Sequence, residues 1–299
     1  MLRPPLKRPG QVLRDLMSHG TVLAPGVFSA LSARAAQAAG AKALYLSGAG
    51  VTNSLLAAPD IGLLGLDEMS AQARFVTQAA LLPVIADADT GYGEAWNVAR
   101  TVVELERAGL AGIHLEDQVN PKRCGHLDGK QIVPTGQMVS KVRAAVDSKS
   151  DDSFLIVART DARGVEGLSQ AIDRARAYVD AGADMVFPEG LESESEFEAF
   201  RSALDVPLLA NMTEYGKTPL LPLSRFQSLG YNLVIFPMSA FRVMLRSMCE
   251  AYEELIRSGS QAALLERMKT RNELYELIEY AEYTKQDALW SGSGPTEDN

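Results

Sequence analysis

Short runs rich in Val, Ile and Leu recur along the chain, each ending in polar, Gly or Pro residues and each followed by enough chain for a crossover helix. Eight such runs span Thr21 to Pro25, Ala43 to Ser47, Pro83 to Asp89, Gly112 to Asp117, Phe154 to Asp161, Met185 to Glu189, Pro207 to Met212 and Leu233 to Pro237. Between them lie Ala-rich or amphipathic stretches, among them Ala30 to Ala39, Trp96 to Ala108, Leu168 to Ala181 and Leu223 to Leu229. Gly40, Gly109, Gly182 and Gly230 each close such a stretch shortly before a run, where a left-handed glycine stops a helix.

Eight strands alternating with helices, apolar enough to be covered on both faces, predict a closed TIM-type (β/α)8 barrel. A Rossmann-like open sheet is the competing arrangement. It would place G-x-G-x-x-G after the first strand; none stands there, and Gly91-Tyr92-Gly93 lacks the third glycine and follows two carboxylates that would repel a pyrophosphate. From about Ser239 to Tyr283 the pattern turns helical, with Ala251 to Ile256 and Ala262 to Tyr283 mixing apolar and charged positions at helical spacing. The expected organisation is a catalytic barrel over residues 1–245 and a helical extension over 246–299, packed on its own barrel or on a partner subunit. Ser291 to Asn299 reads as a frayed tail.

Composition supports a folded protein with a sizeable core: 46% of the 299 residues are hydrophobic and 22% charged. A net charge of −9 argues against general affinity for nucleic acid, yet a few arginines in one cleft can still make a site for an anion. Two cysteines, Cys124 and Cys249, are too few for a disulfide framework and suit a reducing cytoplasm. Met1 to Gly10 carries Arg3, Lys7 and Arg8 without a following apolar core, so no secretory signal is expected, and no apolar run is long enough for a membrane span.

In barrels of this type, catalytic groups stand at the C-terminal ends of strands. Those ends carry Ser47-Gly48-Ala49-Gly50, Asp87 and Asp89, Glu116 and Asp117, Arg159 and Asp161, Glu189, Asn211 and Thr213, and Ser239 with Arg242. Asp87 and Asp89, two apart, would share one face of a strand and repel unless a cation joins them or one takes a proton. With Glu116 nearby, the all-oxygen set suits Mg2+ or Mn2+; an Asp-x-Asp in a surface loop would look the same. The loop from Asn120 to Gly129 holds Lys122, Arg123, Cys124 and His126, cations that could tune a thiol for proton transfer, although a cysteine there can equally be incidental. Arg159, Arg242 and Arg271 are candidate forks for substrate carboxylates. His114 reads as a satisfied core residue and Cys249 as a packed one.

Tyr45-Leu46-Ser47-Gly48, Asp87-Ala88-Asp89-Thr90-Gly91-Tyr92-Gly93, Glu116-Asp117-Gln118, Lys122 to His126, Ala158-Arg159-Thr160-Asp161 and Asn211-Met212-Thr213-Glu214 together resemble the isocitrate lyase/phosphoenolpyruvate mutase superfamily. The resemblance runs from about Val22 to Tyr283. Lys-Arg-Cys-Gly-His is similar to the segment that marks mainly the lyases, which cleave a 2-hydroxy acid by a retro-aldol (Claisen-type) route. Phe236 to Arg242 and Thr270 to Glu276 resemble the branch that splits a methylated isocitrate into pyruvate and succinate during propionate breakdown.

The resemblance implies that Asp87 and Asp89 hold Mg2+, with Glu116 acting through water, and that the main chain of Ser47, Gly48 and Ala49 binds the pyruvate-forming carboxylate. It implies Tyr45 and Asp60 at the same end, Arg159 at the substrate hydroxyl and Glu189 beside the metal. Gly125, Asn211, Thr213, Arg242 and Arg271 would hold the remaining carboxylates, His126 would support the loop, and Cys124 would protonate the departing carbanion. It further implies a C-terminal helix exchanged within a dimer, paired into a homotetramer. Ser-Gly-Ala-Gly replaces the three glycines of many such lyases. Val119 to Lys122 and Leu127 to Lys130 are also similar to carboxyphosphonoenolpyruvate phosphonomutase and to dimethylmalate lyase-like members.

Overall fold

A computed structural model describes residues 4–125, 127 and 129–292. The chain begins with helix α1 (Pro9–Ser18), then runs β1 (Val22–Val27), α2 (Ala30–Ala38), β2 (Leu44–Leu46), α3 (Gly48–Leu56), α4 (Leu66–Ala79), β3 (Val84–Asp87), α5 (Ala95–Arg107) and β4 (Gly112–Glu116). It continues through α6 (Thr135–Ser148), β5 (Leu155–Thr160), α7 (Arg163–Glu166), α8 (Leu168–Asp180), β6 (Met185–Pro188), α9 (Glu194–Ala203), β7 (Leu209–Asn211), α10 (Leu223–Leu229) and β8 (Leu233–Phe236). Helices α11 (Ser239–Ser258), α12 (Arg271–Leu277) and α13 (Tyr280–Ser291) complete the described chain, with a 3-10 turn at Ala262–Arg267.

The strands pair in parallel in the order β6-β5-β4-β3-β2-β1-β8-β7, and a bridge between Val186 and Leu208 joins the two ends. The eight-stranded TIM-type barrel expected from the apolar runs is therefore the fold. Gly40, Gly109, Gly182 and Gly230 all have positive φ, which lets each helix stop without a Cβ clash.

Two apolar layers hold the barrel. Its interior is filled by Val22, Ala24, Ile85, Leu155, Val157, Met185, Leu209, Leu233 and Ile235. Helix α1, which the strand pattern does not announce, sends Leu13 and Met17 into this same cluster and so plugs the barrel from below. Gly10 allows that approach: a Cβ there would lie 2.3 Å from the Ser153 carbonyl oxygen. Outside, Val, Leu and Phe side chains of the strands pack on helices; around Phe197 the rings of Phe226 and Tyr231 meet edge to face at 5.2 and 5.5 Å.

Helix α11 starts against the barrel, Phe241 meeting Phe28 edge to face at 5.3 Å, and then leaves it. Phe241 is the one buried residue of its 20, while Val243 and Ile256 are 68% and 86% exposed. Residue 245, the expected end of the barrel unit, lies inside this helix. Beside it, a groove of about 820 Å3 runs along α2, lined by Ala35, Ala36, Ala39, Gln227 and Ala240. Among the described residues no helix is long and apolar enough to cross a membrane.

Candidate active site

Parallel register brings the charged strand ends together: Asp87 stands opposite His114, and Glu116 opposite Arg159. Above them a cavity of about 220 Å3 is lined by Tyr45, Ser47, Ala49, Asp60, Asp87, Cys124, Gly125, Arg159, Glu189, Asn211, Thr213 and Arg242. Lys122, Phe187, Pro237 and Met238 complete much of the wall.

The two aspartates meet in a way that strand alternation does not describe. β3 ends at Asp87, and Asp89 sits at φ 47°, in the left-handed region that an Asp tolerates better than most residues. The Asp89 N–H donates to Asp87 Oδ1 at 2.9 Å, so a turn, rather than one strand face, brings the carboxylates together. Gly48 lies against Asp87; a Cβ there would come within 2.6 Å of Oδ2.

Lys122 differs from its expected place as a cation beside the thiol. Its buried ammonium bridges Asp60 Oδ1 at 2.6 Å and Asp89 Oδ1 at 2.7 Å. Burial alone would lower its pKa, but Asp89, Asp87, Glu116 and Asp60 raise it well above the ordinary lysine value. Burial pushes Asp89 up to about 6 despite Lys122, with Asp87 and Asp60 adding to the rise.

Arg159 is gripped from three sides. Nε donates to Asp161 Oδ2 at 3.0 Å and Nη2 to Asp161 Oδ1 at 3.2 Å, while Nη1 lies 3.2 Å from Glu116 Oε2 and 3.8 Å from Glu189 Oε2. Its guanidinium also stacks over Phe187 at 5.2 Å. Asp161 is set in turn by Asp117, whose carboxylate accepts the Asp161 N–H at 2.9 Å, the Thr160 hydroxyl at 2.8 Å and the Tyr178 hydroxyl at 2.8 Å. Glu189 Oε2 accepts from Asn211 Nδ2 at 3.0 Å.

Below the cavity, Tyr45 Oη and His114 Nε2 are 2.8 Å apart, and His114 stacks on the Tyr45 ring. His114 is fully buried as expected of a core histidine, and burial takes its pKa down to about 4 against the pull of Asp87. Burial, then Asp87, raises the Tyr45 phenol well above 10, so Tyr45 keeps its proton at neutral pH.

The thiol loop rests on this platform. Gln118, two residues past β4, pairs with both polar atoms of the Arg123 backbone, Nε2 donating to its carbonyl at 2.8 Å and Oε1 accepting its N–H at 2.9 Å. A Cβ on Gly125 would lie 2.3 Å from Glu189 Cγ and 2.7 Å from Arg159 Nη2. Cys124, between these two contacts, is exposed at the cavity. His126 lies outside the described residues. Arg271 stands exposed at the start of α12 and is not among the residues lining the cavity, so one chain does not assemble the expected pair of Arg242 with Arg271.

Asp87, Asp89 and Glu116 present oxygen alone. Among the described residues no three His, Cys, Asp or Glu side chains form a ready metal cage, but Glu116 Oε1 is buried without a hydrogen-bond partner and Gly48 leaves room beside Asp87. Such a set fits a hard cation that keeps several waters and takes one or two carboxylates, the habit of Mg2+.

A family model described as phosphoenolpyruvate phosphomutase matches residues 13–256. The chain belongs to the isocitrate lyase/phosphoenolpyruvate mutase superfamily. Within this superfamily it is 50% identical to the 2-methylisocitrate lyase of Aeropyrum pernix, over 96% of this chain and 93% of that protein. The crystal structure of a 2,3-dimethylmalate lyase superimposes with a TM-score of 0.91 at 37% identity, covering 99% of each chain. A phosphonopyruvate hydrolase solved with oxalate and Mg2+ matches at a TM-score of 0.85 and 27% identity, over 94% of this chain and 98% of that one.

The superfamily's strand-end motifs were readable one by one. Lys122 as the bridge between carboxylates and Phe187 as the floor under a guanidinium were not, because each depends on a neighbour distant in sequence, and the Asp161 clamp on Arg159, only two residues away, shows itself in side-chain geometry alone.

Proposed function

We propose that this chain is a Mg2+-dependent carbon–carbon lyase that cleaves 2-methylisocitrate to pyruvate and succinate. The observation that carries the reading is one cavity in which the Cys124 loop, through Gly125, sits on the Arg159–Glu189 pair, beside Asp87.

Asp87 and Asp89 would hold Mg2+, with Glu116 acting through water; Mn2+ would serve the same oxygens. When bound, the ion supplies Lewis-acid stabilisation of negative charge on substrate oxygens. The N-terminus of α3, where the Ser47 hydroxyl caps the Gly50 N–H at 3.1 Å, turns the main chain of Ser47 to Ala49 toward the pyruvate-forming carboxylate. Arg159, held by Asp161, stabilises the alkoxide as the substrate hydroxyl passes its proton to the neighbouring Glu189 carboxylate in the same cavity. The bond from that carbon breaks, its electron pair passing to the carbon that becomes succinate, and Cys124 Sγ delivers the proton there. Asn211, Thr213 and Arg242 bind the distal carboxylates.

A related 2-hydroxydicarboxylate lyase acting on 2,3-dimethylmalate is the second reading. It is favoured by the position of Arg271 outside the cavity, which leaves Arg242 as the fork for distal carboxylates. Assaying the 2-oxo acid released with Mg2+, pyruvate from 2-methylisocitrate and from 2,3-dimethylmalate and glyoxylate from isocitrate, separates the two: 2-methylisocitrate turns over best under the leading reading, 2,3-dimethylmalate under the other.

The same proposal extends to assembly and setting: a cytoplasmic homotetramer built from dimers that exchange α11. The barrel wall lacks a helix where the Ala-lined groove runs along α2, and α11 carries an uncovered stripe of Leu245, Met248, Tyr252 and Ile256 at helical spacing. A second copy's α11 has the length and apolar face to fill that groove.

A further inference from the structure

Lys130 has no part in the chemistry described above, yet its side chain is 5% exposed in a loop that carries the thiol. An ammonium taken from water needs acceptors around it. Among the described residues it finds two: the Gly125 carbonyl, and Asp161 Oδ1 at 3.0 Å. That Asp161 oxygen also accepts from Arg159 Nη2, so the arginine's clamp and the loop's anchor share one carboxylate.

We propose that Lys130 is a positioning residue for Cys124, tying the Gly125 carbonyl to the carboxylate that aims Arg159. The thiol then stands between two ties, Gln118 on the backbone of Arg123 before it and Lys130 on the carbonyl of Gly125 after it. The tight seat of Gly125 on Glu189 and Arg159 needs such a hold, since only a residue without a Cβ fits there. Coupling both groups to Asp161 sets the distance between the charge on Arg159 and the proton on Cys124 through rigid strand β5. The role rests on the reading of Cys124 as proton donor.

The test compares full-length wild type with Lys130→Met, Lys130→Gln and Lys130→Arg in two readouts. One is the rate at which an arginine-specific protease cuts native protein after Arg123, followed by mass spectrometry; the other is steady-state cleavage of 2-methylisocitrate. Lys130→Met is expected to be cut after Arg123 about tenfold faster and to lose about a hundredfold in kcat with KM changed far less, the scale of loss that misplacing a reacting group brings. Lys130→Gln keeps a donor for Gly125 without the charge for Asp161 and falls between, while Lys130→Arg restores most of both.

Cutting after Arg123 and kcat both unchanged in Lys130→Met would overturn the proposal. Equal acceleration at Arg201, remote on α9, would also overturn it, because Lys130 would then support the barrel at large. Proteolysis needs no substrate, so a wild type that releases no pyruvate counts against the lyase reading and leaves the tie itself to the cutting rates.

Discussion

At the scale of single residues, the site is organised by shared carboxylates. Asp161 serves Arg159 and Lys130, Asp89 and Asp60 share Lys122, and Glu116 faces Arg159 across a strand pair. Gly125 shows how little slack remains. Gly125→Ala would press a methyl group into Glu189 and Arg159, both backed by packed strands, so the loop must lift. Cleavage is expected to fall by about a hundredfold, with thermal melting shifted little because the loop contributes little to the core. Steady-state kinetics beside a melting curve check this; wild-type turnover in the alanine variant would show that the loop does not sit where described. The residue types at the strand ends, Asp87, Glu116, Arg159 and Glu189 among them, were legible from their place after apolar runs. Their partners were not: no local pattern says that Lys122 turns to Asp60 rather than to the thiol two residues on.

At the scale of elements, apolar runs and closing glycines located all eight strands, because buried parallel strands and left-handed helix stops leave strong local marks. Two features escaped. α1 plugs the barrel with two apolar side chains on a short helix before the first strand, too brief a pattern for periodicity to mark. The end of β3 also escaped, because the left-handed turn at Asp89 is stabilised by a side-chain acceptor on Asp87 that periodicity does not reveal. Between β4, β5 and α8, Asp117 gathers three donors, and its carboxylate is raised by burial and by Asp161 while those hydrogen bonds oppose the rise. Tyr178→Phe removes one donor from this buried acceptor and is expected to cost about 1–3 kcal/mol, read as a lower urea midpoint at unchanged slope. Arg159 still has its fork to Asp161, so kcat should change far less than stability; a large kcat loss without destabilisation would contradict that division.

At the scale of the whole molecule, the barrel is closed as a sheet but open as a wall. An amphipathic 20-residue helix standing free beside an Ala-lined groove leaves both faces uncovered in one chain, and in the proposed assembly a copy of the same helix would supply the cover. Replacing Met248 and Ile256 together by Glu should shift the sedimenting species to a smaller assembly, since charges would be buried against alanines; an unchanged mass would remove α11 from the interface. The catalytic account rests on a single chemical claim, that Cys124 protonates the carbanion left when the carbon–carbon bond breaks. It is tested most directly by measuring pyruvate and succinate released from 2-methylisocitrate with Mg2+ by wild type and by Cys124→Ser. Wild type should yield the two products in equal amounts, and the serine variant, equally stable, should lose about 10²–10⁴-fold in rate. No pyruvate from wild type, or substantial turnover by Cys124→Ser, would contradict the account.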